Sequence, residues 1–175
     1  MVIDMDPGLA FGTGTHQTTN LCLQYLDTNP PVNLKVIDYG SGTGVLAIAA
    51  AKLGATMVVA IDNDSQAVLA TKDNVVRNKC ESIITTHHID DKIALEKCDL
   101  LIANILANPL VELAPTFAKL VKSNGSIVLS GILDDQLEAI LDAYNPYFNQ
   151  LVVKQQDEWC RVSGTRDIKI GRAHV

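Results

Sequence analysis

The chain is short of basic charge. Fourteen lysines and arginines stand against 20 aspartates and glutamates, a formal net charge of −6. A groove for a nucleic-acid backbone needs a basic stripe, so direct nucleic-acid binding is not expected. The acidic balance suits a basic protein partner or simple solubility. Cysteine is sparse as well, with four residues at 22, 80, 98 and 160, no CxxC pair and no histidines at zinc-like spacing. Reduced thiols are therefore expected, and no metal site, since His87-His88 lacks a second pair of ligands. No segment reaches the eighteen or so unbroken apolar residues of a membrane span, and no charged-then-apolar leader opens the chain. The expectation is a cytoplasmic protein without membrane contact. Repeats, low-complexity runs and internal linkers are missing too.

What remains is an ordinary globular balance, 47% hydrophobic and 19% charged over 175 residues. That length fits one domain and buries about 70% of the unfolded surface. Apolar bursts alternate with helical stretches. Leu34 to Asp38, bounded by Pro30-Pro31 and by glycines, reads as a buried strand. Val45 to Leu53 is an apolar helix ending at Gly54, a natural residue beyond a helix C-terminus. Thr56 to Ile61 is a second strand, and Asp64-Ser65 caps a helix whose Ala67, Ala70, Thr71 and Val75 share one face. Further strands are expected at Ile83 to Thr86, Leu100 to Ala103 and Ser126 to Ser130. Helices are expected at Leu106 to Leu120, where Pro109 and Pro115 should start or break it, and at Gln136 to Ala143. Leu151 to Val153 and Trp159 to Val162 close the chain as a hairpin at the sheet edge. Uniformly apolar strands separated by helices indicate an α/β fold, a mostly parallel sheet covered on both faces.

Two glycine-rich stretches carry the chemistry. The first, Asp6-Pro-Gly-Leu-Ala-Phe-Gly-Thr-Gly-Thr-His-Gln-Thr-Thr19, looks like a phosphate cradle but lacks the Gly-Lys-Thr or Gly-Lys-Ser of a P-loop. Its short hydroxyls lead into a helix whose face carries Leu21, Cys22, Tyr25 and Leu26. It reads as a lid, with Phe11 closing over a ligand and Thr18-Thr19 gripping its polar end at the helix start. The second stretch runs from a strand through Asp38-Tyr-Gly-Ser-Gly-Thr-Gly44 into a helix. A dinucleotide fingerprint would place its third small residue at 45, where Val45 stands. Asp38, two residues ahead of Gly40, would repel a pyrophosphate and suits a ligand with a positive group. Asp62, ending the second strand, can accept both hydroxyls of a ribose; its alternative reading is a helix cap.

The D-x-G-x-G-x-G turn with the later acid resembles the class I S-adenosylmethionine-dependent methyltransferases. Asp6 to His16, Asn104-Ile-Leu-Ala-Asn-Pro-Leu110 and Glu158-Trp-Cys-Arg161 narrow this. Together they resemble the ribosomal protein L11 methyltransferase family over nearly the whole chain. The resemblance implies a Rossmann-like domain spanning residues 1–175, with a seven-stranded sheet and a C-terminal antiparallel hairpin. Family members carry an N-terminal substrate-recognition domain; this chain begins five residues before the first motif, and the expectation is a catalytic domain without it.

The resemblance also implies the site. S-adenosylmethionine would be held by Thr19, Gly40, Asp62 and Asn104, with Asp38, Gly42, Gly44, Phe11 and Thr18 as further contacts. Its adenine would lie near His88, Ile89 and Asp90. Asn104 stands where other amine and amide methyltransferases carry Asn-Pro-Pro-Tyr. Here Ile105 and Leu106 follow, so the aromatic that would stack on a planar target is missing and a flexible aliphatic amine is favoured. Asn104, and secondarily His16, are the catalytic candidates; a strand-end cap and a packed loop histidine are the plainer readings. Trp159 is either edge cover or a substrate contact. The implied activity is protein N-methylation of α-amines and lysine ε-amines of ribosomal protein L11. Near pH 7 neutralising a lysine costs about 4–5 kcal/mol and an α-amine about 1. Methylation of another protein or small amine, a nucleoside-binding module without turnover, and a dinucleotide dehydrogenase are the alternatives.

Overall fold

Pro30-Pro31 and the glycine turn delimit a central strand, β1 (Lys35–Tyr39), whose middle residues are buried on both faces. The computed structural model describes residues 1–6 and 16–166. Around β1 the chain lays down α1 (Gln17–Thr28), α2 (Val45–Lys52), β2 (Met57–Asp62), α3 (Ser65–Arg77), β3 (Ile84–His88), β4 (Cys98–Asn104), α4 (Ala107–Leu120), β5 (Val121–Leu133), α5 (Leu137–Tyr144), β6 (Phe148–Gln156) and β7 (Trp159–Arg166). The strands form one sheet in the order β3-β2-β1-β4-β5-β7-β6. The first five are parallel, and β7 inserts antiparallel between β5 and β6. The expected closing hairpin is present, and β7 rather than β6 joins it to the sheet.

Both faces are covered. Cys22, Leu26, Leu46, Ile48 and Val75 pack with Val36, Val58 and Ile102 on one side. Leu110, Phe117, Ile140 and Tyr144 pack with Ile37, Leu101, Ile127 and Leu129 on the other. Alternate residues of β1, β2, β4 and β5 thus point into opposite cores, which is why these strands read as apolar runs, whereas the edge strand β3 buries only Ile84. Helix α2 is buried from Val45 to Ala51, matching its all-round apolar sequence. All four cysteines are unpaired and buried.

Two expectations need correction. Helix α4 starts at Ala107, and Pro115 lies inside it without ending it. Pro115 faces solvent, so the carbonyl it leaves unpaired within the helix can be hydrated, and the apolar face through Leu110, Ala114, Phe117 and Ala118 holds the helix on the sheet. Strand β5 runs on to Leu133, past the expected end at Ser130. A register shift between Leu129 and Ile132 carries the extra residue, with Gly131 at φ 86° inside it. Such a bulge bends the strand where pairing with β7 continues.

Candidate active site

The strand order reverses about β1 and β4, with β2 and β3 on one side and β5 on the other. Ligands of open α/β sheets bind beyond the carboxyl ends of the strands at such a switch point. A cavity of about 720 Å³ lies there, within the range of about 300–1,000 Å³ usual for cofactor and small-molecule sites.

The glycine turn forms one wall, and its hydrogen bonds define its chemistry. Gly40 and Ser41 donate their N–H groups to Ile61 O at 2.7 and 2.9 Å. Gly42 donates to Asp62 Oδ2 at 2.9 Å. A phosphate-binding turn keeps such N–H groups for its ligand; here three consecutive donors are already committed to the end of β2. The carbonyls of Gly42 and Thr43 turn the other way, toward α3. Thr71 Oγ1 donates to Gly42 O at 3.0 Å, leaving Ser41 Oγ, 3.1 Å away, to donate to Thr71. Asn74 Nδ2 donates to Thr43 O at 2.9 Å. Gly40 has φ 87°, and a Cβ there would come within 2.3 Å of Ile105 Cγ2. Only glycine lets the β1 turn and the residue after β4 approach this closely.

Asp62 stands at the end of β2 with its carboxylate fixed: Oδ1 accepts the Asp64 N–H at 2.9 Å while Oδ2 holds Gly42. The cap of α3 is Asp64, which accepts from Gln66 N. A carboxylate has about four acceptor positions, so each oxygen of Asp62 retains one for a ligand hydroxyl.

Across the cavity, Asn104 ends β4 and donates from Nδ2 to Thr19 Oγ1 at 3.2 Å. Its Oδ1 lies against Gly131, 3.3 Å from where a Cβ would project. Thr18 and Thr19 are buried in the first turn of α1, and Ser130 Oγ straps that turn to β5 through Thr18 O at 2.9 Å. Arg161 adds a bond to Leu21 O at 2.8 Å and stacks over Tyr25. His16 caps α1. Its Nδ1 accepts the Thr18 N–H at 3.3 Å and sits 2.8 Å from Thr18 Oγ1, while its ring meets Trp159 edge-on at 5.3 Å. An Nδ1 that accepts a backbone N–H places the neutral ring's proton on Nε2 and engages the Nδ1 lone pair in the cap. Capping is the role this geometry supports for His16.

Of the residues singled out from sequence, Thr18, Thr19, Gly40, Gly42, Asp62, Asn104, His16, Ile89 and Trp159 line this one cavity. Gly44, at φ 87°, caps α2 and packs on Thr71 away from the lining. Asp38 is also off the lining: it is buried, and its Oδ2 accepts the Ala47 N–H of α2 at 3.1 Å. Its Oδ1 is buried without a partner. Burial pushes this carboxyl up to about 7, against the lowering effect of the Ala47 bond and helped by nearby Asp62. His88 does not line the cavity either; its Nε2 lies 2.9 Å from Asn63 O and steadies the loop after β2. Asp90 is exposed beside it. Phe11, and with it the proposed lid, lies outside the described residues.

Tyr39, Glu112, Leu113 and Gly131 also line the cavity. Pro109, Glu112 and Leu113 recur at one-turn spacing in α4, so helical periodicity could have placed them together. Gly131 follows β5's apolar core as Gly40 follows β1, which is the one sequence signal it offers.

The groups assembled here are a fixed carboxylate with spare acceptor positions, a carboxamide, apolar walls from Ile61 and Ile89, and a glycine turn whose N–H groups at 40–42 are already bonded. They fit a nucleoside and fit a pyrophosphate poorly. A family model described as ribosomal protein L11 methyltransferase (PrmA) matches residues 1–167. The chain belongs to the ribosomal protein L11 methyltransferase family. A ribosomal protein L11 methyltransferase of Vibrio cholerae is 48% identical over 162 residues, 93% of this chain and 55% of that protein. The chain thus spans about half the length of the curated relatives it matches. The crystal structure of ribosomal protein L11 methylase from Lactobacillus delbrueckii subsp. bulgaricus superposes with a TM-score of 0.81 at 34% identity, covering 95% of this chain and 86% of that one. A methyltransferase from Pyrococcus furiosus shares the fold at 14% identity, with a TM-score of 0.73, covering 95% and 90%.

Proposed function

We propose that the cavity binds S-adenosylmethionine and that the protein transfers its methyl group to amino groups of ribosomal protein L11. Both α-amines and lysine ε-amines are acceptors in this reading. The observation that carries it is the convergence of Gly40, Asp62 and the Thr19-bonded Asn104 on one cavity at the switch point. The cofactor supplies a methyl group already activated on a sulfonium, so the chain's task is binding and placement. Asp62 would take the ribose hydroxyls on the acceptor positions that Gly42 and Asp64 leave open. Gly40 and Gly42 allow the backbone to lie against the cofactor, Thr18 and Thr19 border its polar end, and Ile89 borders the adenine. Asp38 acts through α2, whose first turn it holds. With one amide hydrogen committed to Thr19, Asn104 presents Oδ1 as the acceptor that orients the substrate amine. Ile105 and the exposed Leu106 beside it suit an aliphatic chain. The protein works in the cytoplasm in this reading; among the described residues no helix is long and apolar enough to cross a membrane.

Isothermal titration with S-adenosylmethionine is expected to give a saturable signal, displaced by S-adenosylhomocysteine. Labelled methyl groups should then appear on ribosomal protein L11 when an N-terminal recognition domain is joined to the chain, and weakly or not at all without one. Titration without heat overturns the cofactor assignment, and cofactor binding without label on L11 in the joined protein overturns the substrate assignment.

A further inference from the structure

Residues 1–6 lie along α3 without joining the sheet, and two asparagines hold them. Asn78, the C-cap of α3, accepts the Asp4 N–H on Oδ1 at 2.8 Å and donates from Nδ2 to Asp4 O at 2.7 Å. Asn74, one turn earlier, accepts the Asp6 N–H at 3.0 Å and lies 3.4 Å from Asp6 O. Each carboxamide thus imitates a neighbouring strand. The match is metrical: four helical residues rise about 6 Å, and two extended residues span about 6.6 Å. Alternating with the clamped residues, Ile3 and Met5 pack against the core, so the segment has one apolar and one clamped side.

The two clamps differ in their remaining hydrogen. Asn78 gives it to Asn74 O, within its own helix, at 2.8 Å. Asn74 gives it to Thr43 O in the glycine turn, at 2.9 Å. Asn74 is fully buried, so no water replaces it there. One side chain therefore spans the N-terminal segment, α3 and the cofactor turn. The geometry points to Asn74 as a positioning residue for cofactor binding, one that couples the docking of residues 4–6 to the shape of the Gly40–Gly44 turn. This rests on the cofactor assignment above. By linkage the coupling is reciprocal: a ligand that holds the turn also holds Asp6.

The test combines cofactor titration with amide hydrogen exchange in the full chain. In the wild-type protein, saturating S-adenosylmethionine should slow exchange of the Asp6 amide at least threefold. Asn74→Asp is near-isosteric and keeps the acceptor for Asp6, but it loses the donor to Thr43 O. It should weaken S-adenosylmethionine binding about tenfold or more. Asn78→Ala should speed exchange at Asp4 and leave cofactor affinity within about threefold. Equal affinity for wild type and Asn74→Asp overturns the inference, as does a wild-type Asp6 amide indifferent to bound cofactor, a readout that needs no variant to fold. A wild-type protein that binds no cofactor overturns the assignment beneath it, and this inference falls with it.

Discussion

Asp62 and Asp38 are two carboxylates on neighbouring strands with opposite fates. Asp62 remains at the cavity with both oxygens oriented by backbone N–H groups. Hydrogen bonds to a charged group contribute about 1.5–3 kcal/mol each, so Asp62→Ala should weaken S-adenosylmethionine binding at least a hundredfold in titration. A loss under threefold would remove Asp62 from the site. Asp38 is buried with one oxygen unpartnered, and its carboxyl titrates near 7 instead of 3.8. Between about pH 4 and pH 7 the folded protein therefore holds a proton that the unfolded chain releases, so this residue's contribution falls as pH rises. At 1.36 kcal/mol per unit, the contrast reaches at most about 4 kcal/mol. Urea unfolding should show wild type losing stability relative to Asp38→Asn across that window; a difference independent of pH would refute the burial argument. Both acids were legible in the sequence as a pair framing the glycine turn. That only one of them reaches the cavity was not, because which way a strand-end side chain points depends on the helix packed above it.

Among the elements, β5 matters most to the site, because its bulge brings Gly131 beside Asn104. A Cβ at Gly131 would lie 2.2 Å from Ile105 O, and φ is 86°. Gly131→Ala thus combines a disfavoured backbone with a clash against another backbone, neither of which a rotamer change relieves. A destabilisation of about 2–4 kcal/mol is expected from denaturant midpoints; a change below about 0.5 kcal/mol would mean that the β4 and β5 ends are not in contact. The sequence showed the buried strand Ser126 to Ser130 but not its extension, because the residues beyond Gly131 owe their pairing to β7, far along the chain. Helix α3 gives the same lesson. Thr71 was expected on its buried face and is buried, yet it and Asn74 serve there as polar partners for the turn. Apolar periodicity locates a buried face without saying which polar groups on it will find carbonyls.

For the whole molecule, the acceptor chemistry of the proposed reaction sets the expected pH response of turnover. An α-amine with a pKa of about 7.7–8.0 should reach plateau rates just above that range, whereas a lysine acceptor should gain about tenfold per pH unit up to about 10. Separate rate profiles for α- and ε-methylation of L11 would test this, and a lysine profile already flat at about pH 7 would require a base at the site. The sequence by itself determined the alternation of strands and helices, the glycine turn, the framing acids and the family motifs, since each rests on local pattern or on residue types at fixed spacing. Tertiary structure alone decided how they combine. It committed the turn's N–H groups at 40–42 to β2 and the carbonyls of Gly42 and Thr43 to α3, turned Asp38 toward α2, made His16 a helix cap, and joined residues 4–6 to the glycine turn through Asn74. Apart from the His16 cap and the Asp38–Ala47 bond, those outcomes depend on hydrogen bonds between residues about twenty or more positions apart, and sequence pattern carries no record of which distant donor meets which acceptor.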